Sequence, residues 1–283
     1  MISCWLRVVR IYWAPALSRP HIWLGVRLIP APKYRLETFG TLTLSGGASG
    51  TVSHQRRRLA LLALLAASGE RGLNRDQLLG YLWPDSAAAN ARHSLEQLIH
   101  AMRKALGEQV FSGVNPVSLN SDVIVSDVGN FEEAMARRDF ADAVELHKAP
   151  FLAGFYLEDA PEFERWADAE RARLANRYAE ALDHLAEDAH VRGDHGAAVR
   201  WRRRAAGADP LSSRSALALM RALVASGDRT AALGHARVYE ALVQQEFESP
   251  ADPSILAYAA SVRAGGGDEP PAVRPLSAVE GAR

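Results

Sequence analysis

Six polar side chains in residues 90–106, NARHSLEQLIHAMRKAL, recur at a spacing that gathers them on one side of a helix. At 100° per residue His93, Gln97, His100 and Lys104 share a face, with Arg92 and Arg103 on its flank. Ala91, Leu95, Leu98, Ile99, Met102 and Leu106 form the opposite, apolar stripe, and Gly107 is placed to end the helix. The chemistry open to the polar face is recognition rather than bond-making. Arg and Lys donate to phosphate oxygens, and a Gln amide can bond two edge atoms of adenine at once. Arg103 and Lys104, long cations near the helix end, are therefore candidates for phosphate contact, and His93, Gln97 and His100 for base edges. Arg92 joins them, with pairing to Glu96 four residues on as its alternative. Taken alone, such a face is more simply a solvated one; its surroundings argue otherwise.

Two further cationic groups need weighing. Arg56, Arg57 and Arg58 open a helix, where positive charge opposes the helix dipole, so a compensating partner is expected. DNA phosphate is one candidate; a solvated cluster, or acids of the following domain, is the other. The run Arg200, Trp201, Arg202, Arg203, Arg204 mixes an aromatic with cations but lies within an acidic helical region, which favours salt bridges to neighbouring helices. Nucleophile and metal motifs are missing from the sequence: it has no HExxH and no GxSxG, and His184, His190 and His195 do not share one helical face. No enzyme activity, cofactor or metal is expected.

The elements that position the polar face can be read from pattern. YRLETFGTLTL, residues 34–44, alternates apolar and polar residues and predicts a small antiparallel sheet. HQRRRLALLALLAA, residues 54–67, is apolar nearly all round and predicts a buried helix capped by Ser53. Asn74 and Gln77 are spaced as a capping box, with Leu73 and Leu78 as a staple across it, for a helix that ends at Trp83 and Pro84. After Gly107, QVF, VSLN and DVIVSDV predict short strands. Sheet, helix, helix, polar-faced helix and hairpin make a winged helix-turn-helix over residues 34–130.

From residue 131 strand signals vanish and paired helices follow to residue 263. Gly193, Asp194 and Ala198 recur as Gly227, Asp228 and Ala232, a shift of 34 residues, which is the tetratricopeptide period. The fold class expected is mainly α: an N-terminal winged helix (α+β), then an all-α tetratricopeptide-like repeat domain. Residues 1–33 hold three of the six Trp with four Arg and show no period. They read as a disordered extension or a translated upstream segment, with a basic, aromatic binding arm as the alternative. Residues 264–283, rich in Gly and Pro, read as a disordered tail.

Composition narrows the class of protein. The net charge is zero, but residues 33–130 carry 10 basic against 8 acidic side chains and residues 131–263 carry 17 against 22, a basic front joined to an acidic back. Cys4 is the only cysteine, which rules out an intrachain disulfide and fits a cytoplasmic setting. No apolar run is long enough to predict a membrane span.

In their order, LETFGTLTL, RRRLALLALLA, NRDQLLGYLWPD with its Leu82-Trp83 ending, HSLEQLIHAMRKALG, SDVGNFEEAM and APFLAGFYLEDAPEFERWADAERARL resemble the SARP-type bacterial transcriptional activators, an OmpR-like winged helix followed by a bacterial transcriptional activator domain. The resemblance covers residues 34–263. It implies a DNA-binding regulator that sits on promoter repeats as two or more copies and contacts RNA polymerase. GxxxxGK, the phosphate loop of larger relatives, is absent. One departure stands out: between Lys104 and Arg137 there is no Lys or Arg, so the wing brings no cation of its own. A protein-interaction scaffold whose winged helix has lost DNA binding is the rival reading, and an enzyme regulated through its repeats a more distant one.

Overall fold

The computed structural model describes residues 33–46 and 56–265. The expected extension up to Pro32, the Ser53 cap and the tail from 266 lie outside the described residues. Strands β1 (Tyr34–Glu37) and β2 (Thr43–Gly46) pair antiparallel with Leu36 opposite Leu44, both buried. Helix α1 (Arg56–Ser68) buries every residue from Ala60 to Ala66, as its unbroken apolar run requires of a central helix. Helix α2 (Arg75–Leu82) opens on the expected capping box: Gln77 N–H donates to Asn74 Oδ1 at 2.8 Å, and Asn74 N–H donates to Gln77 Oε1 at 3.0 Å. Helix α3 (Ala88–Leu106) buries Ala91, Leu95, Ile99, Met102 and Leu106, while Leu98 is half-buried.

Strands β3 (Phe111–Ser112) and β4 (Ser118–Leu119) form the hairpin that follows. The third expected strand, β5 (Ile124–Ser126), does not extend that hairpin; it pairs parallel with β1, giving the order β2-β1-β5. Its side chains and those just beyond it explain the choice. Ser126 caps the next helix by accepting from Gly129 N–H, and Asp127 is thereby set beside the β1–β2 turn. The Asp127 carboxylate accepts from Thr38 N–H at 2.8 Å, Thr38 Oγ1 at 2.6 Å and Phe39 N–H at 2.9 Å. Thr38 is fully buried, so these bonds satisfy donors that have no access to water.

Seven helices complete the described chain: α4 (Asp127–Ala136), α5 (Phe140–Leu146), α6 (Pro161–Val191), α7 (His195–Ala208), α8 (Ser213–Ala225), α9 (Arg229–Phe247) and α10 (Pro253–Arg263). The 34-residue recurrence has a mechanical basis. Gly193 and Gly227 take left-handed φ of 74° and 88°, and Asp194 and Asp228 then cap α7 and α9 through Ala197 and Ala231 N–H. Ala198 and Ala232 are buried where the helices meet. A third turn of the same construction joins α4 to α5, with Arg138 at φ 60° in the glycine position and Asp139 as the cap.

One hydrophobic core runs from Leu36 in β1 through α6 to Ala205 in α7, crossing the expected boundary at 130/131 without a break; a second gathers residues of α7 to α10. Phe39 lies at the crossing. Its ring meets Phe131 at 5.4 Å, Phe151 at 6.4 Å and His147 at 4.6 Å. Leu152 N–H donates to Thr38 O and Gly40 N–H to Pro150 O, tying the α5–α6 connection to the first sheet. No helix of the described residues is long and apolar enough to cross a membrane.

Candidate nucleic-acid interface

α3 and the β3–β4 wing loop are bridged by Arg75, which bonds Glu96 on the one and Val114 O on the other. The stripe of buried residues turns the opposite face of α3 outward, and Arg92, His93, Gln97, His100 and Lys104 are all exposed. The side chains of Arg92, His100 and Lys104 make no hydrogen bond, ion pair or ring contact with other described residues. His93 and Gln97 do meet: Gln97 Nε2 lies 2.8 Å from His93 Nε2. In this orientation the amide N–H donates to the ring nitrogen. A Gln amide has two N–H bonds and a carbonyl, so one N–H and the oxygen stay free for a base edge.

Arg103 differs from its neighbours. It is half-buried, and its Nε is shielded from solvent with no hydrogen-bond partner. The alternative pairing of Arg92 with Glu96 does not form; Glu96 meets Arg75 instead, at 3.5 Å. Arg75 was not legible as part of this site, because it opens α2 and reaches α3 and the wing loop through contacts 21 and 39 residues away in sequence.

At the start of α1, Arg56 is exposed and Arg57 and Arg58 are half-buried. Arg56 donates from Nη1 to Tyr156 O at 2.8 Å and sets its guanidinium 4.2 Å over the Tyr156 ring. It therefore does meet the second helical region, but through a carbonyl and a ring rather than an acid. Arg57 Nε donates to Leu82 O at the end of α2 and lies 5.9 Å from the Trp83 ring, and Arg58 is half-buried with an unpartnered Nε. The contacts of Arg56 and Arg57 supply part of the compensation that cations at a helix N-terminus need.

Two arginines of the Arg200–Arg204 run, Arg202 and Arg204, are engaged by neighbouring helices. Arg202 pairs with Asp183, and Arg204 bonds Glu145 Oε1 at 3.0 Å, Val144 O at 2.9 Å and the Tyr178 hydroxyl at 2.6 Å. His190 and His195 are exposed, and His184 stacks on Phe140 at 4.4 Å. Among the described residues no three His, Cys, Asp or Glu side chains are grouped to hold a metal.

An exposed polar helix framed by a hairpin, backed by stacked helical pairs, defines a winged-helix protein with tetratricopeptide-like repeats. Residues 127–263 match the family model of the bacterial transcriptional activator domain. The match covers the helical part of the chain, and a domain of this kind behind a winged helix is the arrangement by which the chain resembles the SARP-type bacterial transcriptional activators. Among solved structures it is similar to Mycobacterium tuberculosis EmbR in complex with a low affinity phosphopeptide. The TM-score is 0.59 and the identity 19%, over 84% of this chain and 66% of that one. No curated protein matches the sequence.

Proposed function

We propose that this regulator binds duplex DNA by placing α3 in the major groove. The observation that carries the reading is the outward face of α3: five exposed polar side chains, three of them without a partner among the described residues, on a helix whose opposite face is locked into the core. Side chains that fold stability does not use are the ones free to meet a ligand. Gln97 is the base reader, held in orientation by His93, and His100 lies beside it; Lys104, Arg103 and Arg92 meet phosphates. Arg56, Arg57 and Arg58 keep N–H groups beyond these contacts and stand as further phosphate candidates, Arg56 being the exposed one of the three.

The activator domain would then contact RNA polymerase, with two or more copies on repeated promoter sites. The protein would act in the cytoplasm without catalysis or cofactor. The domain division, 34–130 for DNA and 131–263 for activation, belongs to the same proposal. It concerns roles rather than separate cores.

Binding of the purified chain to duplex from its own upstream region and to scrambled duplex, across a salt series, tests this. A regulator gives a negative slope of log affinity against log salt and prefers the upstream sequence. The rival reading, a winged helix kept as a protein-contact surface, draws on the cation-free wing; equal and salt-insensitive weak binding to both duplexes would favour it and remove the first choice.

A further inference from the structure

The wing, with no Lys or Arg between 104 and 137, is flanked by a cation from another element. Arg75, the first residue of α2, lies at the seam between wing and α3. Its Nε donates to Val114 O at 3.3 Å, its Nη1 lies 3.5 Å from Glu96 Oε1, and its own backbone N–H donates to Asn115 Oδ1 at 3.0 Å. Three contacts from one residue thus fix the wing loop against α2 and α3. Glu96 is the only carboxylate on α3, 63% exposed at the edge of the reading face, where it would repel a phosphate backbone.

A guanidinium has five N–H bonds in a planar fork. Two are engaged here, by Val114 O and Glu96, and the remaining three have no partner among the described residues on a side chain that is 37% exposed. We infer that Arg75 is the phosphate contact of the wing: it cancels Glu96, holds the wing loop in place, and presents the rest of its fork to a phosphodiester oxygen beside the groove that α3 enters. The inference rests on the DNA reading above. It adds to that reading a residue outside α3 and a reason why a wing without cations can still sit against DNA.

The test uses the full chain and fluorescence anisotropy with labelled upstream and scrambled duplexes over a salt series. The variants are Arg75→Ala, Arg75→Lys, Glu96→Gln and Arg75→Ala/Glu96→Gln. Arg75→Ala is expected to weaken both duplexes alike, about tenfold at low salt, and to reduce the salt slope by about one. Arg75→Lys keeps the charge and should keep the slope. Glu96→Gln in the Arg75→Ala background should recover part of the affinity but not the slope.

Wild-type affinity and slope in Arg75→Ala would overturn the inference while leaving the DNA reading intact. So would full recovery of both in the double variant, since Arg75 would then only mask Glu96, and so would equal loss of slope in Arg75→Lys. A wild-type chain that binds neither duplex would overturn the DNA reading and this inference with it.

Discussion

Gln97 and Lys104 sit on one face of one helix, yet their chemistry assigns them different consequences. Lys104 is a point charge, and removing it should cost the same on every duplex. Gln97 is a directional donor and acceptor, and its loss should cost only where its base is present. Lys104→Ala is thus expected to weaken upstream and scrambled duplexes equally, whereas Gln97→Ala lowers the ratio between them roughly tenfold, in line with about 1–3 kcal/mol for a bidentate base contact. His93→Ala should give a smaller fall in the same ratio, because it loosens Gln97 without removing it. Competition binding checks all three, and an unchanged ratio in Gln97→Ala would move the reading face elsewhere. A second histidine bears on stability. Burial beside Tyr178, 4.2 Å away, holds the His147 ring below its ordinary value of 6.5, with Arg204 acting in the same direction and its backbone hydrogen bond and Asp127 opposing. The unfolded chain then takes up the proton first as pH falls, so stability decreases below about pH 6.5 and is flat above it as far as this ring is concerned. His235, also lowered by burial, adds in the same sense. Melts at pH 7.5 and 5.5 should show a smaller loss for His147→Phe than for the wild type; an equal loss would acquit His147.

Helices whose ends are set by neighbours in sequence were legible at the level of elements. The Asn74–Gln77 box and the turns at Gly193-Asp194 and Gly227-Asp228 all rest on contacts three or four residues apart, and those survive in a one-dimensional pattern. The matching turn at Arg138-Asp139 escaped because a non-glycine residue occupies the left-handed position and because the 31-residue α6 stretches the interval to the next turn. Glycine here has opposite worth at two sites that are equally uncrowded. At Gly193 φ is 74° and nothing lies within 4 Å of an added Cβ, so Gly193→Ala costs backbone strain alone, about 1 kcal/mol. At Gly234, inside α9 and without positive φ, an added Cβ also meets nothing within 4 Å, and Gly234→Ala should stabilise by roughly 0.5–1 kcal/mol. Chemical denaturation of the two variants should give shifts of opposite sign. Shifts of the same sign would mean that the turn geometry is not what sets the glycine.

For the whole molecule the sequence suggested two bodies joined near residue 130, and the structure has one core through that junction. The bonds responsible link residues far apart, Thr38 with Asp127, Gly40 with Pro150 and Arg56 with Tyr156, and no local periodicity encodes such pairs. β5 was legible as a strand but not as the parallel partner of β1, for the same reason. What the pattern could have offered is Asp127 itself, an acid directly before an apolar helix, although its role there is to hold another segment rather than only its own helix. An arrangement of this kind makes the winged helix dependent on α4 and the α5–α6 connection. Asp127→Asn tests the dependence most economically. One amide oxygen can still accept, but the amide nitrogen must then face Thr38 or Phe39 N–H, leaving a buried donor opposed by another donor. The expected loss is on the order of 3 kcal/mol, which for a chain of this size lowers Tm by roughly 6–12 °C. The melt should remain a single transition, with near-UV signals from Trp83 in the winged helix and Trp201 in the repeats lost together. Residues 34–130 alone, lacking Phe131, Phe151 and Leu152 around Phe39, should show no cooperative melt. An excised fragment that melts cooperatively, or an Asp127→Asn chain that melts in two steps, would mean that the junction is a contact between two independent domains and not part of one core.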